Sequence, residues 1–199
     1  QAVTVPAGIV QSGDAGANLL VGGDGDDRLS GGDGNDTLEG GLGIDLLQGG
    51  RGADIYRSGF GHDLLADSGL ATDGADQVLL LSAVARSALS FVRLGDGDLH
   101  VRWTGGSIRI DSAFDSARAI ETLVLKDGTS IDLRTVAFVT EGTTGSETLQ
   151  GNREEFGSRN DTIRAFDGDD ELFGYDGADI LDGGTGSDAL YGEGGGDRY

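Results

Sequence analysis

Residues 22–57 read GGDGDDRLS, GGDGNDTLE, GGLGIDLLQ and GGRGADIYR, four consecutive rows of nine residues without a gap. Glycine fills positions one and two and position four of each row, and aspartate fills position six. A large apolar residue, Leu or Tyr, fills position eight. A fixed period of this kind predicts a repeat architecture in which each row is one unit that stacks on its neighbours.

The same period extends on both sides of this stretch and returns near the C-terminus. Degenerate rows flank it at 13–21 and 58–66, and a further row, 71–79, follows an inserted segment at 67–70. The later rows lie at 142–150, 156–164, 165–173, 174–182, 183–191 and 192–199. We therefore expect an N-terminal lead-in, a first repeat block, a β-rich intervening segment and a second repeat block, at residues 1–12, 13–79, 80–136 and 137–199.

Composition narrows the class of protein. The formal net charge is −21, from 35 acidic and 14 basic residues, which disfavours a nucleic-acid or anionic-membrane partner. The chain has 38 Gly, one Trp and no Cys, so neither a conventional aromatic core nor disulfides or thiolate metal sites are expected. No apolar run reaches the ~20 residues of a transmembrane helix. A disordered acidic tail is the alternative interpretation of this composition, and the regular order of the rows argues against it.

Each row divides into a six-residue turn and a three-residue extended piece whose central apolar residue points inward. One row alone cannot bury this residue, but stacked rows bury a continuous apolar ladder, and two rows per coil make a flattened roll. Glycines permit positive φ, so the turn carbonyls can point at a common centre. Calcium takes six to eight oxygen ligands, and two turns with their Asp side chains supply that number.

These rows resemble the repeats-in-toxin (RTX) family of haemolysin-type calcium-binding repeats. The resemblance implies an all-β fold, a calcium-bound parallel β-roll (a β-solenoid) in two blocks with a β-rich capping or intervening segment. It also implies that position-six aspartates and turn carbonyls of neighbouring coils hold Ca²⁺, often with an acid at position three. Without calcium, we expect the chain to be disordered, because ion binding supplies the free energy of folding.

The predicted metal-binding residues follow this pattern. The position-six aspartates are Asp27, Asp36, Asp45, Asp54, Asp63, Asp76, Asp161, Asp170, Asp179, Asp188 and Asp197. The position-three acids are Asp24, Asp33, Asp73, Asp167 and Asp176, and Asp67 of the inserted segment is added to them. The turn glycines are Gly22, Gly23, Gly25, Gly31, Gly32, Gly34, Gly40, Gly41, Gly43, Gly49, Gly50, Gly52, Gly168, Gly174, Gly177, Gly183, Gly184 and Gly186.

Several rows depart from the pattern and predict weaker or absent sites. Non-acidic residues stand at position three in three rows, Asn and Glu replace Asp at position six in two others, and Arg replaces a turn glycine once: Leu42, Arg51, Phe60, Asn18, Glu147 and Arg159. Pairing rows two apart gives roughly four ions in the first block and three in the second, about seven in all.

The intervening segment loses the glycine period and shows strand patterns separated by turn residues. Its IRIDSAF and IETLVLKDGTSIDL stretches resemble the haemolysin-type calcium-binding related segment that often follows RTX rows. Residues 111–119 suggest a short turn or helix. Two interpretations stay open, a cap that covers the end of the roll and an ordinary spacer between the blocks.

Catalytic signatures are weak in this sequence. His62 and His100 are the two histidines, and neither has a ligand or triad partner at a recognised spacing. Acidic pairs recur so often that no one pair indicates glycosidase chemistry, and their period favours metal ligation. We therefore expect a non-catalytic module.

The resemblance implies a module that passes unfolded through type I secretion machinery, folds on extracellular calcium and supports a larger secreted toxin or exoenzyme. The expected partners are calcium ions and the rest of a larger parent polypeptide, and the expected location is extracellular or the bacterial cell surface. One alternative is a structural or attachment segment of a large calcium-dependent adhesin or surface-layer protein. Another is an accessory module of a polysaccharide-modifying enzyme.

Overall fold

The regular structure of this protein is almost entirely β, in short strands separated by glycine-rich turns. The computed structural model describes residues 8–68, 74–94, 98–111, 120–133, 136, 139–151 and 160–199. The chain divides into two compact units, residues 1–90 with 99–133 and residues 91–98 with 134–199. The predicted turn or helix at 111–119 falls, after residue 111, outside the described residues, as do Asp73 and Arg159.

Two sheets form the first unit. One contains, in spatial order, β1 (Val10–Ser12), β3 (Arg28–Asp33), β5 (Leu46–Arg51), β7 (Gly61–Ala66), β11 (Gly106–Ile110) and β10 (Leu99–Trp103). The other contains β2 (Leu19–Asp24), β4 (Thr37–Leu42), β6 (Ile55–Ser58), β8 (Gln77–Leu80), β12 (Thr122–Val124) and β13 (Ser130–Asp132). Successive rows alternate between the sheets, so rows two apart lie side by side, and the predicted parallel β-roll is confirmed.

The core of the first unit is the ladder of position-eight residues. In one sheet Leu29 pairs with Leu47 and Leu47 with Leu65, and in the other Leu38 pairs with Tyr56, all in parallel register. These side chains are fully buried. Burying each leucine contributes roughly 1.5–3 kcal/mol, and no single row obtains this alone. A period of nine with one large apolar residue therefore specifies stacking rather than an isolated hairpin.

The non-repeat segment continues both ladders. Strand β11 pairs in parallel with β7, placing Ile110 beside Leu65, and β12 pairs in parallel with β8, placing Leu123 beside Val78. A hairpin joins each added strand to an antiparallel partner, which is β10 before β11 and β13 after β12. The hairpin of β12 and β13 encloses the KDG turn of the sequence.

The second unit repeats the same construction on a smaller scale. One sheet orders β9 (Ser90–Leu94), β14 (Val139–Glu141), β16 (Thr162–Arg164) and β18 (Ile180–Asp182), and the other orders β15 (Thr148–Gln150), β17 (Glu171–Phe173) and β19 (Ala189–Tyr191). All these neighbours pair in parallel. Their inward residues form one core cluster: Leu149, Ile163, Ala165, Leu172 and Leu181, with Leu190 against it.

Helical structure among the described residues is one 3₁₀ turn, Arg86–Ala88. No helix in that part of the chain is long and apolar enough to cross a membrane.

Candidate metal centre

The position-six aspartates stack into carboxylate columns along the edges of each roll. Their side chains are buried although they are charged: Asp36 is 1% exposed, and Asp54 and Asp179 are 0% exposed. One oxygen, Oδ1, accepts the backbone N–H of the position-six residue two rows earlier. Asp45 accepts from Asp27 at 2.9 Å, and Asp54 accepts from Asp36 at 2.8 Å. The carboxylates therefore fix the register of neighbouring rows.

The second carboxylate oxygen of most of these aspartates has no hydrogen-bond partner among the described residues. The buried, unpartnered Oδ2 atoms belong to Asp27, Asp36, Asp45, Asp54, Asp170 and Asp179. A buried carboxylate without compensation is strongly unfavourable, so these oxygens require either a proton or a cation. Buried acids of both units share this surplus of negative charge. The donor set therefore fits a cation that prefers oxygen.

Position-one glycines make room for these oxygens. A Cβ on Gly22 would collide with Oδ2 of Asp27 and with the carbonyl oxygen of Gly40, two rows later. Gly31 has the same relation to Asp36 and to the Gly49 carbonyl. Glycine at this position lets a carboxylate and a carbonyl oxygen approach one small space, and these are the ligand types that calcium takes.

Glycines at positions two and four have a different function, because their backbone requires positive φ. Gly23 and Gly25 have φ of +145° and +105°, and Gly41 and Gly43, two rows later, also have positive φ, of +112° and +135°. A Cβ on Gly43 would also strike the Gly25 carbonyl. The stacked turns are therefore closely superposed, with their carbonyl oxygens held in rows.

Electrostatics of the columns disfavour the ionised carboxylates in the absence of a cation. Burial raises the pKa of Asp54 to about 6, and the neighbouring charges of Asp36 and Asp67 contribute to the rise. Burial likewise raises the pKa of Asp63 to about 6 and that of Asp76 to about 8. Burial also raises the pKa values of Asp45 and Asp179 above the usual range. Perturbation of this kind marks a candidate functional site.

The other predicted ligands occupy more varied places. Asp24, Asp33, Asp167 and Asp176 at position three are exposed on the turns, as are Leu42, Arg51 and Phe60 at the same position in other rows. Asp188 and Asp197 are half-buried. Asp73 lies outside the described residues.

At three position-six places, protein groups donate hydrogen bonds to the side-chain oxygens. The Ser58 hydroxyl donates to Oδ2 of Asp63 at 2.7 Å. Thr143 donates to both carboxylate oxygens of Glu147, from its N–H and its hydroxyl, each at 2.7 Å. Asn18 accepts the N–H of Asp14 at 2.8 Å. These groups reduce the need for a cation at those rows.

Glu121 is a column member that the repeat pattern does not predict. Its Oε2 accepts the N–H of Asp76 at 2.8 Å, and the side chain is 9% exposed. It thus takes the position-six place ahead of the non-repeat strand β12. A signal exists in the sequence, because Glu121–Leu123 reads ETL, as does the repeat row at Glu147–Leu149.

Position five carries a second set of row contacts that the repeat pattern also leaves unpredicted. Here the earlier row supplies the side chain: Asp26 accepts the N–H of Ile44 at 2.9 Å, and Asn35 accepts that of Ala53 at 3.0 Å. Asn160 and Asp169 repeat the contact in the second unit. Rows two apart are therefore joined reciprocally, by position six of the later row and position five of the earlier row.

Fold and site together define a parallel β-roll whose turns present carboxylate and carbonyl oxygens at a nine-residue period. The family model for the RTX calcium-binding nonapeptide repeat matches in four copies, at residues 12–47, 30–65, 157–181 and 165–199. The chain therefore belongs to the RTX calcium-binding repeat family through both of its repeat blocks.

Eleven chains of solved structures match this chain. The extracellular lipase LipA from Serratia marcescens is similar to this chain, at 22% sequence identity and a TM-score of 0.40. The alignment covers 93% of this chain and 27% of the lipase, so the chain spans about a quarter of the lipase's length. No curated protein matches the chain.

Proposed function

We propose that this chain is a calcium-dependent folding module of a larger secreted protein. The observation that carries the proposal is the set of buried Oδ2 atoms without partners in the carboxylate columns. A column of like charges opposes its own stacking, and bound cations remove that opposition. Family membership identifies the cation class as calcium.

The residues that would hold calcium are the position-six aspartates, the nearby position-one carbonyls and, where present, the exposed position-three acids. The bound ion supplies positive charge between rows two apart. About seven divalent ions would change the formal net charge from −21 to about −7. Magnesium suits this set less well, because it demands strict octahedral geometry and retains water.

Calcium-linked folding lets the chain stay unfolded during transport and fold after it. A chain that stays unfolded at low calcium suits passage through type I secretion machinery, and higher extracellular calcium then folds it. Binding free energy becomes folding free energy in such a system. The chain's contribution is the fold itself, and any catalytic or toxic activity belongs to other parts of the parent polypeptide.

Circular dichroism of the isolated chain, with calcium and with excess chelator, tests the proposal. We expect a β spectrum with calcium and a largely disordered one without it, and calorimetry should count about seven ions. Asp45→Asn should raise the calcium concentration at the folding midpoint. Asp127→Asn, an equal change of charge on an exposed hairpin turn, should not. An ordered β spectrum in excess chelator at slightly alkaline pH, or about two ions or fewer, would contradict the proposal.

A further inference from the structure

The end of the first repeat block has a group of three acids that differs from the other column positions. One carboxylate oxygen from each of Asp54, Asp67 and Asp76 lies within 4.8 Å of the other two. Asp54 and Asp76 are position-six residues of neighbouring rows, whereas Asp67 belongs to the inserted segment and occupies the place where other rows have a position-one glycine. In other rows a backbone carbonyl lies beside the position-six carboxylate, as Gly40 does beside Asp27. Here the Tyr56 hydroxyl lies beside Asp54, and the Asp67 carboxylate is close by.

The Asp54 side chain independently indicates that this group of acids binds a ligand. Its side chain is 0% exposed, and its Oδ2 has no hydrogen-bond partner among the described residues. Oδ1 is occupied, because it accepts the N–H of Asp36 at 2.8 Å. A Cβ on Gly49 would collide with both Oδ2 of Asp54 and the Tyr56 hydroxyl, so these two oxygens face one small space.

Tyr56 connects that space to Asp67. Its hydroxyl accepts the N–H of Gly49 at 3.0 Å and lies 3.4 Å from both Oδ1 of Asp67 and the Ala66 carbonyl oxygen. The other position-eight residues of the tandem run are leucines, which have no polar side-chain atom. The one tyrosine of that run therefore lies in the row whose position-eight side chain contacts Asp67.

We propose that Asp54, Asp67 and Asp76 form a separate high-affinity site for a calcium or lanthanide ion, with the Tyr56 hydroxyl beside it, and that this site binds its ion before the repeat rows do. Three carboxylates this close repel each other strongly, and a multivalent cation converts that repulsion into attraction. The inference rests partly on the proposed function, because Asp54 and Asp76 also belong to the carboxylate columns.

Terbium(III) titration of the whole chain, with emission excited through tyrosine, tests this site, and calcium calorimetry accompanies it. We expect the first ion to give Tyr56-dependent emission that Tyr56→Phe removes. Asp67→Asn should eliminate that emission and weaken the first binding step about tenfold or more. Asp67→Glu should retain most of it, and the matched control Asp127→Asn should match the unchanged chain.

The outcomes separate this inference from the proposed function. If calcium still induces the β spectrum but Asp67→Asn leaves the first binding step and the tyrosine-excited emission unchanged, the three-carboxylate site is wrong and the folding function stands. If the chain is already folded in chelator, the folding function fails, and the same titration still tests the site. If Asp67→Asn does not fold, unchanged terbium emission in Tyr56→Phe overturns the inference, and rescue of folding and emission by Asp67→Glu supports it.

Discussion

At the scale of single residues, the repeat uses glycine for two physically different reasons. Position one needs space, because oxygens of two rows crowd its Cα, as at Gly22. Position two needs a conformation: Gly23 has open space around it but a φ of +145°. The two requirements respond differently to substitution, so they can be tested separately.

The requirement for space predicts that Gly22→Ala destabilises the first unit. The added methyl group would push Oδ2 of Asp27 and the Gly40 carbonyl apart, and overpacking of this kind costs about 2 kcal/mol. Urea unfolding in saturating calcium should show the loss, together with a higher calcium midpoint for folding. Gly196→Ala is the matched control, since nothing lies within 4 Å of its Cβ position. Equal stability of the two variants would show that position one is not crowded.

The requirement for conformation predicts that Phe166→Gly stabilises the second unit. Phe166 stands at position two with a φ of +74°, a conformation that is unfavourable for a residue with a Cβ by about 1 kcal/mol. Thermal unfolding with calcium should show a gain of about that size. Leu42→Gly, at a similarly exposed position without positive φ, should lower stability instead. A loss of stability in Phe166→Gly would mean that the phenylalanine makes a contact that outweighs its backbone strain.

At the scale of strands and rows, the sequence predicts the roll well and its extensions poorly. The period, the inward position-eight residues and the pairing of rows two apart all follow from rows such as 22–57, where the glycines and Asp27 or Asp36 repeat without interruption. Strand β12 is not predicted as a further row, because the sequence before Glu121 lacks the glycine pattern. The burial of Leu123 and the carboxylate of Glu121 are nevertheless enough to continue the ladder.

Contacts at position five escape prediction because that position looks variable in the sequence. Only the earlier row of each pair needs a side chain that accepts a hydrogen bond. Asn35 provides this acceptor, and Ala53 of the later row contributes only its N–H. Two consecutive rows carry an acceptor at position five and the next two rows do not, so no single residue type recurs there when all rows are aligned together. The group of Asp54, Asp67 and Asp76 is hidden for another reason, since 22 residues separate its outer members in sequence and the insertion interrupts the period.

Removing one position-five contact should therefore loosen the pairing of two rows. Asn35→Ala deletes the acceptor for the Ala53 N–H, and because that contact is exposed we expect a loss of only about 0.5–1 kcal/mol. Chemical unfolding in calcium measures it. Ile44→Ala serves as the control, since its exposed side chain accepts no hydrogen bond. A loss in Ile44→Ala as large as that in Asn35→Ala would assign the effect to general strand propensity.

At the scale of the whole molecule, the dominant physical fact is uncompensated negative charge, part of it buried. Surface acids repel at long range and are screened by salt, whereas the buried columns are screened much less. Protons and calcium therefore compete for the same oxygens. Folding with calcium should therefore need less calcium as the pH rises. Folding without calcium should instead be favoured as the pH falls.

Because protons and calcium compete, folding of the cation-free chain should depend on pH. In the cation-free chain, burial raises the folded-state pKa values of Asp54 and Asp63 to about 6 and that of Asp76 to about 8, against about 3.9 for an unfolded aspartate. A raised folded-state pKa stabilises the fold below the unfolded pKa, and that stabilisation is lost as pH rises through the folded value. Chelator-treated chain should thus gain β structure as the pH falls from about 8 to about 4, while the calcium midpoint falls as pH rises, because protons no longer compete. Circular dichroism across that range measures both trends, and β content in chelator that increases toward the alkaline end would contradict the buried-carboxylate account.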